Sequence, residues 1–240
     1  MVSPLIGGIL DTAFGWEAIF IFISLFSTAV LLWALLVLPE TQPASVAQAP
    51  VLLWDETRAL LASAKFHGYV LCGALGSAPF FTFLGGGQHV VVTLMGRTSA
   101  EYGLWFAFTS LGYMSGNFSV SRLSQRFGDD AMITAGIAFE LIGTGLTCAL
   151  VASQPEAGPA IIFLPQLVIS YGNGLLLPNC IAGAVSVRPQ AAGTASGMTG
   201  FTQMAVGAAS TQTVSILVAG AGSAMPMAWQ MLVVAAAAGV

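Results

Sequence analysis

The chain alternates long apolar runs with short gaps, and nearly every charge is confined to the gaps. Residues 17–38, 66–95, 103–121, 131–152, 159–183 and 190–219 are the runs. Each reaches the length, about 20 residues at helical rise, that is needed to cross a hydrocarbon core. The chain carries only six basic and ten acidic side chains, and all of them except Glu140 fall in or at the edges of the gaps. Soluble domains devote about a quarter of their residues to charge and spread it over a wetted surface; here the fraction is 7%. Lipid is therefore the solvent for this chain. The fold class that follows is all-α and transmembrane, because a helix satisfies its own backbone hydrogen bonds where water is absent.

Several function classes drop out. The net charge of -4 comes from too few groups to define a partner, and no basic stripe interleaved with aromatics points to nucleic acid. Cys72, Cys148 and Cys180 lie inside apolar runs without CxxC spacing. They read as small buried hydrophobes rather than a disulfide framework or a metal site. No nucleophile–base pair, phosphate-binding glycine loop or ligand cluster is present, so no catalytic residue, metal or cofactor is expected. No basic segment precedes the first run as it would in a signal peptide.

Orientation follows from the basic residues. Arg58, Lys65, Arg122, Arg126 and Arg188 lie in gaps 39–65, 122–130 and 184–189, whereas the alternate gaps hold only Arg97. The first set is assigned to the cytoplasm. Pro39 ends the first full span, and WDETRALLASAKF within 39–65 suits a short amphipathic surface helix. Gly85-Gly86-Gly87 is expected to break the run 66–95, and Pro165 and Pro178 to kink 159–183. Residues 2–10 read as the tail of a helix, and the run from Met227 stops short of a full span. The chain is thus expected to be a fragment of a larger protein or a truncated frame.

The succession of motifs resembles the Bcr/CflA-type multidrug transporters (drug:proton antiporters) of the major facilitator superfamily. Residues 3–8, SPLIGG, are similar to the end of the fifth-helix motif, and Gly15-Trp16 with Leu38-Pro39-Glu40-Thr41 to the sixth helix and its cytoplasmic exit. Leu123-Ser124-Gln125-Arg126-Phe127-Gly128 resembles the loop between helices eight and nine. It departs at Gln125, where an Asp is usual, and at Asp129-Asp130, where basic residues are usual. Gly172-Asn173-Gly174 with Pro178-Asn179, then Ala192-Gly193-Thr194-Ala195-Ser196, resemble helices ten and eleven. The resemblance implies that residues 1–38 end the N-terminal half, 39–65 form the central loop, and 66–240 form the C-terminal bundle up to the start of helix twelve. Six full spans would be present, with partial helices at both ends and helices one to four missing.

The candidate functional residues are few. Glu140, a carboxyl at mid-membrane, costs a few kcal/mol unless protonated, paired or hydrated; it is a candidate proton carrier or a structural acid bonding Thr144 or a neighbouring helix. Gln166, Ser170 and Asn173 share a face of the tenth helix, which by resemblance lines the transport path; interhelical bonding is the alternative. Tyr69, Phe80 and Phe83 fall near one face of the seventh helix, followed by Gln88 and His89, and suit either an apolar ligand wall or packing. In 190–219, Ser196, Thr199, Gln203, Gly207 and Ser210 make a polar stripe, with Gln203 needing a partner at depth. Gly193, Gly197, Gly200, Ala208 and Thr211 make a small-residue stripe expected to pack. Arg122 and Arg126 could pair with Asp129 or Asp130 as a cytoplasmic latch, but exposed pairs are usually worth under about 1 kcal/mol, and a solvated charged face is the expected reading.

The resemblance implies proton-coupled export of small hydrophobic compounds by alternating access, in a bacterial cytoplasmic (inner) membrane. Partners would be the bilayer, protons, a drug-like substrate and the missing N-terminal helices. A sugar or metabolite exporter, and a half-length membrane protein without transport activity, stay open as alternatives. Tags placed at residues 50 and 187 are expected to label only in permeabilised cells; labelling from outside intact cells would overturn the topology.

Overall fold

A computed structural model of the chain describes residues 6–7, 10, 13–39, 50–154 and 157–239, which are helical almost throughout, with no strand among them. The loop expected around 40–49 and most of the SPLIGG motif lie outside the described residues. Residues 1–54 and 55–240 form two compact units. In the first, α1 (Trp16–Val37) is apolar on every face and buries none of its side chains, as a lipid-facing span does. Its Thr28 hydroxyl donates to the Ser24 carbonyl at 2.8 Å, so even this polar group is satisfied within the helix.

Helix α2 (Pro50–Leu61) spans the boundary between the units in the chain, and the second unit contains α3 (Ala64–Gln88), α4 (Ser99–Phe127), α5 (Asp129–Ser153), α6 (Ala160–Ser186), α7 (Ala192–Ala219) and α8 (Met225–Ala238). The surface helix expected over residues 54–66 ends at Leu61. Ser63 then caps α3, its hydroxyl accepting the Phe66 N–H at 3.3 Å, which moves Lys65 and Phe66 into the following span. Thr98 caps α4 in the same way through the Glu101 N–H at 3.1 Å. The gap 122–130 closes almost completely. Helix α4 runs to Phe127 and α5 starts at Asp129, joined by Gly128 at φ 83°, a conformation that a side chain disfavours.

Among the described residues four helical stretches are long and apolar enough to cross a membrane: Trp16–Val37, Ala64–Leu94, Asp129–Ser153 and Ala160–Ser186. Helices α4 and α7, at 29 and 28 residues, have the length but a more polar composition. Their hydroxyls and amides bond back to their own helices, as Ser115 does to Gly112, Asn117 to Tyr113, Thr199 to Ala195 and Thr202 to Met198. Local bonds of this kind let polar residues occupy a membrane helix without an outside partner.

Helix α6 is the axis of the unit, packed against α3, α4, α5 and α7, while α3 also packs against α7 and α8. Glycines set the seams. A Cβ at Gly112 of α4 would run into the Leu167 carbonyl of α6, and one at Gly136 of α5 would stand 2.7 Å from the Gly172 carbonyl. The expected break at Gly85-Gly86-Gly87 does not occur. Helix α3 continues to Gln88 and passes into a π-helical turn over His89–Leu94. Close packing explains the glycines: a Cβ at Gly85 would lie 3.0 Å from Thr211 Cα, and one at Gly86 2.9 Å from Val214. Helix α6 runs unbroken from Ala160 to Ser186 with Pro165 and Pro178 inside it.

The packing seam of α7 differs from the expected one. Of the expected stripe only Thr211 packs, against Gly85 and with its hydroxyl donating to the Phe81 carbonyl at 3.2 Å; Gly193, Gly197 and Gly200 have open space where a Cβ would stand, and Ala208 is exposed. The buried face instead holds Ala195, Thr199, Gly207, Ser210, Val214 and Val218, because α3 presents Phe81 and Gly85 to that side. Gly112→Ala should therefore lower thermal stability in detergent by about 1–3 kcal/mol through overpacking. Gly197→Ala should leave it unchanged or raise it by up to about 1 kcal/mol through helix propensity. Equal effects at the two positions would refute the assignment of seams.

Candidate functional site

The buried face of α5 repeats at helical spacing: Gly136, Glu140, Gly143, Thr144 and Thr147. Small residues on both sides of Glu140 bring α5 against α6 closely enough to seal the carboxyl from solvent, and Glu140 is 0% exposed. Asn173 of α6 is its partner: Nδ2 donates to Glu140 Oε1 at 3.3 Å and to the Gly76 carbonyl of α3 at 3.1 Å. The Thr144 hydroxyl, expected as a partner for the acid, donates to the Glu140 backbone carbonyl at 2.8 Å instead. Glu140 Oε2 has no partner among the described residues. A single amide is thin coordination for a carboxyl that can accept several donors. Oε2 is thus the position open to a proton or a further donor. One amide side chain ties α3, α5 and α6 together at this acid.

The remaining sequence candidates fall in separate places. Gln166 is 1% exposed and Ser170 6%, on the same side of α6 as Asn173. Phe83 is buried against Phe163, with ring centroids 5.3 Å apart, and half-buried Phe80 meets Phe106 at 6.2 Å. Gln88 is exposed at the end of α3, and Gln203 is half-buried on α7. Tyr69 stands near the start of α3, where its hydroxyl donates to Asp130 Oδ1 at 2.8 Å, with Lys65 Nζ 5.7 Å from its ring.

The alternative of an arginine latch does not form among the described residues. Arg122 lies over the Phe118 ring at 5.2 Å and Arg126 over Phe127 at 5.3 Å, both on their own helix. The ion pair found among the described residues is Arg188 with Glu56, at 3.4 Å and partly exposed, an arrangement worth under about 1 kcal/mol. Asp130 opens α5, where a negative charge complements the helix terminus, and from there it reaches Tyr69.

Residues outside the sequence candidates complete the surroundings. Tyr102 and Phe106 of α4 meet Phe83, at 6.5 and 6.3 Å, and Trp105 stacks on Phe163 at 5.5 Å. Tyr102 and Phe106 stand four apart on one face, a spacing that is present in the sequence. Gln230 of α8 donates to the Ser210 carbonyl at 2.7 Å and to Thr82 Oγ1 at 3.3 Å, joining α8 to α7 and α3. Nothing in the sequence around Gln230 announces those partners. No group of His, Cys, Asp and Glu suited to a metal occurs among the described residues.

Residues 1–211 match the Major Facilitator Superfamily. The chain is 27% identical over 223 residues to a bicyclomycin resistance protein homolog of Haemophilus influenzae, covering 87% of this chain and 52% of that protein. It is 24% identical to multidrug resistance protein D of Escherichia coli, covering 85% and 50%. To a chloramphenicol resistance protein of Pseudomonas aeruginosa it is 26% identical, covering 80% and 43%. The chain thus spans about half the length of the curated relatives it matches.

The Glu140 junction makes a stability prediction. Asn173→Leu removes the one donor to a buried carboxyl and should destabilise the chain in detergent by about 1–3 kcal/mol. Replacing both residues with Leu should recover most of that loss, since neither polar group is then stranded. Additive losses in the double variant would show that the two side chains do not act as a pair.

Proposed function

Because the chain belongs to the Major Facilitator Superfamily, we propose that it supplies the second-half bundle of a proton-coupled exporter of small, largely uncharged, drug-like compounds. The names of the relatives, which speak of bicyclomycin, chloramphenicol and multidrug resistance, support drugs as the cargo. In this reading residues 66–240 form the bundle, 39–65 the central loop, and 1–38 the end of the first half. The partners are the bilayer of a bacterial cytoplasmic membrane, protons, cargo and the helices of the first half.

The observation that carries the proposal is the Glu140–Asn173–Gly76 junction. Glu140 lies on α5, behind the helices read as cavity walls, so it acts on them without touching cargo. With Oε2 unprotonated, the carboxylate holds the Asn173 amide, which also grips α3. With Oε2 protonated, that hold weakens and the α3–α6 contact is free to re-form differently. Protonation thus shifts the balance between inward-open and outward-open arrangements of two rocking bundles. A tenfold shift in that balance corresponds to about 1.4 kcal/mol, within reach of one charge-assisted hydrogen bond.

The longest open reading frame containing these residues should raise the resistance of an efflux-deficient bacterium to neutral lipophilic antibiotics, and a protonophore should abolish the effect. Glu140→Gln in that frame should lose most of the resistance at normal expression. Unchanged resistance in the variant would remove Glu140 from coupling; export indifferent to the protonophore would remove proton coupling altogether.

A further inference from the structure

Gln166 has the least support of any polar side chain in the bundle. It is 1% exposed, and neither its amide oxygen nor its amide nitrogen has a partner among the described residues. Buried amides are otherwise paired, so an orphaned one calls for an explanation. Leucine would fill the same space without stranding a donor and an acceptor.

The neighbours of Gln166 locate it. Asn173, seven residues on and on the same face of α6, reaches the Gly76 carbonyl of α3. Phe163, three residues back, meets Phe83 of α3 with centroids 5.3 Å apart. Ser170, one turn on, faces α4, where a Cβ at Gly112 would stand 3.2 Å from its own Cβ. Gln166 therefore looks out between α3 and α4. Those two helices are joined to each other by rings: Phe80 with Phe106 at 6.2 Å, Phe83 with Phe106 at 6.3 Å, and Phe83 with Tyr102 at 6.5 Å. The Tyr102 hydroxyl is a second buried group without a partner among the described residues.

We propose that Gln166 and Tyr102 are the polar anchors of a gated binding site for uncharged aromatic compounds bearing an amide-like edge. The rings of Phe80, Phe83 and Phe106 form its lid. A glutamine amide presents a donor and an acceptor side by side, and its complement is another edge of the same kind. Aromatic walls with a few aimed polar groups are the usual make-up of a small-molecule site. None of the five side chains carries a charge, and ring faces repel negative charge, so an anion entering would lose its hydration without compensation. The lid consists of side chains, and rotating Phe80, already half-buried rather than sealed, uncovers the amide. The inference rests on the export reading only in identifying this ligand as cargo; the site itself is tested by binding.

The test uses the full chain in neutral-lipid nanodiscs, with Trp16, Trp33, Trp54 and Trp229 changed to Phe. Trp105, stacked on Phe163 at 5.5 Å, is then the reporter. Titration with benzamide, whose primary amide carries a donor and an acceptor on one edge, should quench its fluorescence saturably. Methyl benzoate, the ester that lacks the N–H, should bind about tenfold more weakly, as expected for one lost hydrogen bond at a desolvated site. Benzoate should not bind. Gln166→Leu should bring benzamide down to the affinity of the ester while melting no earlier than the parent, and Phe80→Ala should speed association. Equal affinities for amide and ester, a preference that survives Gln166→Leu, or no saturable quench would each overturn the site. Binding without export in cells counts against the transport reading alone; export indifferent to Gln166→Leu counts against the site alone.

Discussion

Lipid offers no hydrogen bonds and gives apolar side chains no reason to leave it, so helices in this bundle associate by how closely their backbones can approach. The glycines of α3, α4, α5 and α6 meet that constraint. Gly112 and Gly116 open α4 to the carbonyls of α6, Gly136 and Gly143 do so for α5, and Gly85 and Gly86 for α7 and α8. Everything else in the second unit is arranged around those seams, including the sealing of Glu140 and the contact through which Asn173 reaches α3.

The same constraint sorts the polar side chains into two groups. Ser, Thr and Asn residues such as Ser115, Thr147, Asn179 and Thr199 bond to a carbonyl one turn back on their own helix. They are neutral in structure and undemanding in lipid. Asn173 and Gln230 instead reach across to other helices. Glu140, Gln166 and Tyr102 keep polar atoms that no described residue pairs. Unpaired groups in hydrocarbon are the expensive ones, and the acid and the amide both lie along the face of α6 nearest α3. The proton-coupling proposal and the ligand-site proposal come from neighbouring turns of one helix, one linked backwards to α5 and the other looking out past α4.

The wrong expectations have a common cause. Triple glycine at Gly85-Gly86-Gly87 reads as a break from backbone propensity, yet close neighbours on α7 and α8 hold it helical. The small stripe of α7 reads as a packing face from residue size, yet α3 meets the adjoining face, where Phe81 stacks over Gly207. Proximity in the chain offers Arg122 and Arg126 as partners for Asp130, yet Asp130 accepts from Tyr69 of a distant segment. In each case a local rule was overruled by which helix stood opposite, and that is information a single helix does not carry.

From the sequence alone came the apolar character that suits lipid, the helical class, the boundaries of most runs to within a turn (Ser99–Phe127 reaches further than the run 103–121) and the singular position of Glu140. These depend on hydropathy and charge, which are properties of each segment by itself. Only the tertiary structure decided that Asn173 is the partner of Glu140, that Tyr102 and Phe106 of α4 meet Phe83 of α3, and that Gly112 packs while Gly197 does not. Those outcomes depend on the rotation of one helix against the next, a quantity set by short contacts between residues far apart in the chain.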